Sequence, residues 1–405
     1  MHLNKYIYNY FLILFSIIPL TIIIGSAISV ANILLIDLSF VIFLIYKKNL
    51  SFLKNKTIIY LFILYIYLIF NTFIAIDYSE SILRNFGFIR IIILFIAFNY
   101  FLRQISFLDK MIKSWTIILS IIILDIFIEF IFGKNILGYG ELYGNRIVSF
   151  FKDEPIVGGF VNSFFLIIVG FYLNQTKKNH NLIIIFSIII LISIFLTGER
   201  SNTIKALLAL STFLLFYKNI SIKKKFLFFS MTFFIITLVL LNSSFLKLRY
   251  FKQIQSSLDV DSLYLKLYDS GFQVFNNHKI FGVGNKNYRV ETCTEKSDIS
   301  AEFRKKYYCT THPHQIYFDF LSEHGLFGTI IILIIFYNLF FSKILETFQG
   351  KNYIKLGALL YLIFIFTPLI PSGAFFNNYM ITLFAINLSI FYSSDKNLNI
   401  FKENF

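Results

Sequence analysis

The sequence predicts an all-α polytopic membrane protein with about twelve transmembrane helices, each of roughly 20 apolar residues. Three observations carry this reading. The 405 residues are 57% hydrophobic and 15% charged, with mean hydropathy +0.72, whereas roughly a quarter of a soluble domain is charged. Apolar windows recur along the whole chain, separated by charged or turn-forming residues. Lys and Arg gather in alternate connections, as expected when one side of a membrane retains positive charge. Two cysteines in the whole chain exclude a disulfide scaffold or a Cys-rich zinc module. The first apolar stretch runs on without a small-residue cleavage site and so reads as a retained anchor.

Spans are expected near residues 8–30, 33–46, 57–76, 86–102, 115–132, 155–173, 181–196, 202–217, 226–242, 326–342, 354–369 and 374–392. They divide the chain into an N-terminal bundle of about nine helices (1–242), an outer segment (243–325), and about three further helices with a short tail (326–405). With the N-terminus inside, the inner connections hold about half of the Lys and Arg but four acids, Asp109, Glu346, Asp395 and Glu403. The formal excess of +15 therefore falls on the cytoplasmic side, with both termini. It reports orientation and contact with anionic membrane lipid, and no nucleic-acid partner is expected.

Segment 243–325 is the long polar connection, placed outside between the ninth and tenth helices. Its alternation of charged residues with Tyr and Phe predicts a small helical subdomain. Both cysteines, Cys293 and Cys309, fall in it. They either pair across a loop of about 15 residues, worth about 3 kcal/mol, or remain two thiols.

Charge inside a span is costly and marks candidate sites. Arg84 and Arg90 open the fourth helix, Asp125 and Glu129 share one face of the fifth, and Lys205 lies early in the eighth. All five fall in the outer third of the membrane, which favours a site at the outer face. The alternative is internal ion pairing, for example Arg90 with Asp125.

Four runs carry possible chemistry. Thr197-Gly198-Glu199-Arg200-Ser201-Asn202 is a turn between two spans. Gly198 permits the reversal, Ser201 or Asn202 can cap the next helix, and Arg200 beside a helix N-terminus suits a diphosphate. In Thr311-His312-Pro313-His314 and the residues to Gly328, Pro313 suits a first helical turn and Gly325 a helix end. There His314 is a candidate proton acceptor near neutral pH. His-x-His also has metal-ligand spacing, but no further Cys or His completes a set, so no metal is expected; a structural cap is the other reading. Phe281-Gly282-Val283-Gly284-Asn285-Lys286-Asn287 is no dinucleotide fingerprint, and reads as a sharp turn presenting backbone N–H groups near Lys286 and Arg289. Finally, Arg146 precedes Asp153 and Glu154, which can cap the sixth helix around Pro155, and Arg146 is a further candidate anion contact.

Together these residues resemble the O-antigen ligase / O-antigen polymerase family of bacterial membrane glycosyltransferases. TGERSN (197–202) looks like the family's Arg-bearing turn. HKIFGVG (278–284) looks like its GxG run, with Lys279 where Pro is usual. HPHQIYFDFLSEHGLFG (312–328) looks like its His-Asn helix and following E-x-G-l-x-G, with Gln315 for Asn. PSGAFFNN (371–378) resembles a run before the last helix. The match is best over about 190–380.

The resemblance implies a GT-C-like fold with a large helical periplasmic loop between helices nine and ten, in the bacterial inner membrane. It implies inverting, metal-independent and cofactor-free transfer from an undecaprenyl-diphosphate-linked glycan. The acceptor would be lipid A-core for a ligase, or a growing glycan for a polymerase. By this likeness Arg200 contacts the diphosphate and His314 acts on the acceptor hydroxyl. The family's second arginine corresponds to Lys266, so Arg289 and Arg146 are the expected substitutes, with His312 and Glu199 as neighbouring substrate contacts. A polysaccharide flippase would share length and basicity, but internal repeats and a central polar cavity are expected of it.

Overall fold

The computed structural model describes residues 5–48, 50–140, 146–152, 154–175, 179–253, 255, 262–293 and 307–401. Asp153 and Glu403, named above, lie outside them. The described residues form helices α1 (Lys5–Ser16), α2 (Ile18–Ile24), α3 (Ser26–Lys47), α4 (Lys56–Phe73), α5 (Tyr78–Phe86) and α6 (Ile89–Phe101). They continue with α7 (Ile105–Phe132), α8 (Val157–Leu173), α9 (His180–Leu196), α10 (Arg200–Phe216), α11 (Ile222–Asn242) and α12 (Ser244–Lys247). The chain then forms α13 (Leu263–Asn277), α14 (Tyr288–Thr292), α15 (Ile316–Leu339), α16 (Ile344–Gln349), α17 (Tyr353–Phe364) and α18 (Asn378–Ser393). No strand occurs among the described residues.

Among the described residues, six units are long and apolar enough to cross a membrane: α3, α4, Tyr78–Phe101, α7, α11 and Ile316–Gln349. The pair α1–α2, bent by 42°, makes a seventh, and α8, α9 and α17 are shorter apolar helices.

The helices α4 and α8 to α11 fall within four residues of their expected bounds. The first two spans do not. Their break lies at Gly25, whose φ of 145° closes to few other residues. Asn32, expected near a connection, sits inside α3 and donates from Nδ2 to the Leu14 carbonyl at 3.1 Å. Helix α7 starts ten residues before the expected 115.

Helix α8 lies at the centre, with nearly all its side chains buried. It crosses α17 closely: a Cβ on Gly170 would come within 2.2 Å of the Tyr353 carbonyl oxygen, and one on Gly357 within 2.1 Å of that of Leu166. Small residues at a crossing let two backbones touch, a packing mode common in membrane bundles. In contrast α11 buries only Phe228 and Thr232.

Residues 279–285 are stitched to the bundle through a break in α15. Gly325 adopts φ 62° and ψ −170° inside that helix. The break frees the Ser322 and Glu323 carbonyls, which accept from Val283 N and Gly284 N, both at 2.9 Å. Reciprocally, Leu326 N and Phe327 N donate to the Lys279 and Ile280 carbonyls at 2.8 and 3.0 Å. Four backbone groups that the helix break would orphan are thus satisfied. The GxG amides therefore serve α15 and not a ligand, which corrects their expected role as free donors. Asn285 completes the joint, donating from N to Asn71 Oδ1 (2.8 Å) and from Nδ2 to Asn85 Oδ1 (2.5 Å). Cys293 and Cys309 are disulfide-bonded, which resolves the two sequence alternatives.

Candidate active site

A cavity of about 450 Å³ opens where the N-terminal ends of α8, α10 and α18 meet the C-terminal end of α17. Its lining includes Arg146, Glu199, Arg200, His312 and His314, and also Lys205, Arg249, Tyr264 and Tyr379. Five of the seven sequence candidates thus come together from three separate stretches of chain. Three helix N-termini face one space, and their dipoles favour an anion.

The arginine turn is built by Gly198 and Glu199. Gly198 has φ 71°, and a Cβ there would strike the Phe245 ring at 2.8 Å. Glu199 does not offer its carboxylate to a ligand. It accepts from Gly158 N (2.6 Å) and Gly159 N (3.1 Å), capping α8 from across the cavity, and from Asn202 Nδ2 (2.6 Å). Gly158 and Gly159 leave room for this, since a Cβ on Gly158 would lie 3.0 Å from that carboxylate. The cap expected from Glu154 is therefore supplied by Glu199, and Asn202 braces Glu199 instead of capping α10. Arg200, the first residue of α10, lies 6.0 Å from the centroid of the Tyr264 ring.

Arg146 reaches the cavity because the connection after α7 is folded back on that helix. Glu129 accepts from Val148 N (3.0 Å) and Ser149 N (2.7 Å). Asp125 accepts from Ser149 Oγ (2.5 Å) and Ile136 N (2.9 Å). The two acids do share a helix face, but they hold a loop. Arg90 instead donates to Asn378 Oδ1 at 2.6 Å, so the expected Arg90–Asp125 pair does not form. Arg146 itself donates from Nη2 to the Pro155 carbonyl at 3.1 Å, and its buried Nε has no hydrogen-bond partner among the described residues.

Helix α15 starts later than Pro313 suggested: Gln315 is its N-cap, with Oε1 accepting from Tyr317 N (2.8 Å) and Phe318 N (3.0 Å). His314 precedes the cap in a left-handed conformation, φ 56°, which turns it out of the helix and into the cavity lining. The 371–375 run clamps this corner. Ser372 N donates to the His314 carbonyl at 2.9 Å, the Ser372 carbonyl lies 3.3 Å from His312 Nε2, and Asp319 Oδ2 accepts from Phe375 N at 3.1 Å. The Ser372 contact assigns the proton of His312 to Nε2, leaving Nδ1 to accept from Thr311 Oγ1 at 2.9 Å. The two imidazole rings stand 4.1 Å apart. No hydrogen bond to the His314 ring forms among the described residues. Burial lowers the His314 pKa below its ordinary value; burial and the adjacent His314 lower that of His312 to about 3. Both rings are neutral at pH 7.

Arg289 and Lys266 are not brought in. Both are exposed, on α14 and α13, and neither lines the cavity. The third guanidinium is that of Arg249, in the turn after α12. Burial, then the charges of Arg146 and Arg200, depress its pKa, which places three guanidinium groups in one field. In the sequence Arg249 carries no motif; its only signal is a basic residue soon after a span.

Fold and cavity together define a helical, membrane-protein-like chain with a cationic, histidine-bearing cavity at one end of its bundle. Residues 185–333 match the family model described as O-antigen ligase, in agreement with the resemblance read from the sequence. Members of this family are glycosyltransferase-like enzymes whose substrates are lipid-linked glycans. No curated protein matches the chain.

Proposed function

We propose that the protein is an inverting membrane glycosyltransferase that moves a glycan from an undecaprenyl-diphosphate-linked donor to an acceptor sugar hydroxyl. The observation that carries this is the cavity itself, which sets an unengaged, neutral His314 ring in the same space as Arg146, Arg200 and Arg249. His314 takes the proton of the acceptor hydroxyl, whose oxygen attacks the anomeric carbon. The bond from that carbon to the diphosphate breaks, and its electron pair stays on the departing diphosphate. The guanidinium groups stabilise the charge that develops there, in the role a divalent cation fills elsewhere. A single displacement of this kind inverts the anomeric centre. Glu199 and His312 act by positioning Arg200 and His314.

The same reading places about twelve spans, both termini in the cytoplasm, and segment 243–325 at the periplasmic face of the inner membrane. Lipid A-core is the proposed acceptor; a growing glycan, as for a repeat-unit polymerase, is the second reading, kept because the histidine cavity suits either hydroxyl.

The test is transfer by purified His314→Ala protein from a lipid-linked donor. A loss of about 10²–10⁴-fold at unchanged folding is expected; wild-type transfer would overturn the assignment.

A further inference from the structure

Lys205 is 5% exposed, lies on α10 and lines the cavity. Among the described residues it has neither a carboxylate partner nor a hydrogen bond to its ammonium. An unpaired buried cation is costly, and such a group aimed into a cavity points to an anionic ligand. Five residues separate it from Arg200, about 7 Å along the helix axis at 1.5 Å per residue, away from the mouth and toward the apolar interior. Asn162 on α8 and Tyr361 on α17 line the same wall, and neither side chain is engaged by a hydrogen bond among the described residues. Around them stand Ile365 and Leu383. The cavity thus has two levels, guanidinium groups at its mouth and one ammonium with two neutral polar groups deeper in.

We infer that Lys205 binds the second, lipid-proximal phosphate of a polyprenyl diphosphate, and so makes the cavity prefer a diphosphate to a monophosphate. This rests on the glycosyltransferase reading above. Such a diphosphate carries one charge on each phosphate. The sugar-bearing phosphate meets the arginines, while the other follows the polyprenyl chain inward to Lys205. A polyprenyl monophosphate has a group for only one level.

The full chain in lipid nanodiscs is titrated with undecaprenyl diphosphate and, separately, undecaprenyl monophosphate at one salt concentration. The wild type is expected to prefer the diphosphate. Lys205→Met is expected to weaken diphosphate binding about ten- to hundredfold, the worth of a charged hydrogen bond, and to change monophosphate binding less than about threefold. Lys205→Arg is expected to keep the preference. Melting of Lys205→Met is expected at or above the wild-type temperature, because an unpaired buried charge is removed; should it fall, Lys205→Gln carries the comparison. A retained preference in the Met and Gln variants, or equal weakening toward both lipids, overturns the role of Lys205 alone. A wild type that binds neither lipid overturns the proposed function with it.

Discussion

Arg249 holds the carbonyl of Gly198 with two donors, Nε at 3.2 Å and Nη2 at 3.0 Å. Nη1 donates to Gln253 Oε1 at 2.6 Å. Gly198 lies two residues before Arg200, so the segment after α11 grips the turn that presents the first arginine. The remaining N–H groups of Arg249 make no hydrogen bond among the described residues.

Arg249→Lys keeps the charge and loses this two-pronged grip, because an ammonium cannot reproduce the guanidinium fork. Transfer is expected to fall about tenfold or more. An Arg200→Lys, Arg249→Lys double variant is expected to lose less than the product of the single effects, since the two residues act through one turn. Initial rates for the four proteins check this; strict additivity would separate the two arginines.

The two histidines set a pH limit with a definite sign. Burial lowers the His314 pKa below the model-compound value of 6.5. The acid limb of kcat/KM is therefore expected below pH 6.5, and a limb above it would remove His314 as the titrating base. Stability follows the same direction. Imidazoles whose pKa falls on folding bind fewer protons folded than unfolded, so the native state loses stability as pH drops through and below the unfolded value. Melting curves of wild type and His312→Gln between pH 7 and pH 5 measure this, with the variant expected to be less pH-sensitive.

Gly282 and Gly325 admit no side chain. A Cβ on Gly282 would lie 2.5 Å from Gly325 N, and one on Gly325 2.4 Å from the Ile280 carbonyl oxygen. Both residues also have positive φ, 71° and 62°. Gly325→Ala is expected to cost several kcal/mol of stability, beyond the roughly 1–2 kcal/mol of a left-handed alanine. Thermal melting of the detergent-purified protein reports it, with Gly350→Ala, at a looser site with negative φ, as the mild comparison.

Removing the Cys293–Cys309 bond by Cys293→Ser is expected to cost about 2–4 kcal/mol. The proposed topology adds a second readout. After mild reduction of intact cells, a membrane-impermeant maleimide is expected to label both cysteines, and labelling only after lysis would reverse the orientation.

Arg200 and His314 were legible in the sequence because their environments are local: a glycine turn for one, a His-Pro-His run before a helix for the other. Arg249 was not, because what ties it to the arginine turn is its reach to Gly198, 51 residues away. Arg289 drew attention by lying near the GxG run, whose amides are taken up by α15. Glu199 was recognised as part of the site but its use was not; the glycines it caps lie about 40 residues back. The helices followed from apolar windows, while the break at Gly25 was obscured by Asn32, a polar residue that the bundle buries and satisfies.

The backbone exchange at Gly325 has a bearing on the order in which the chain is made. The groups that satisfy the break lie at residues 279–284, upstream of α15, so synthesis delivers them first. Until they are in place, the second half of α15 has unpaired amides, which an apolar environment does not tolerate. Residues 279–284 thus fix where the second half of α15 begins.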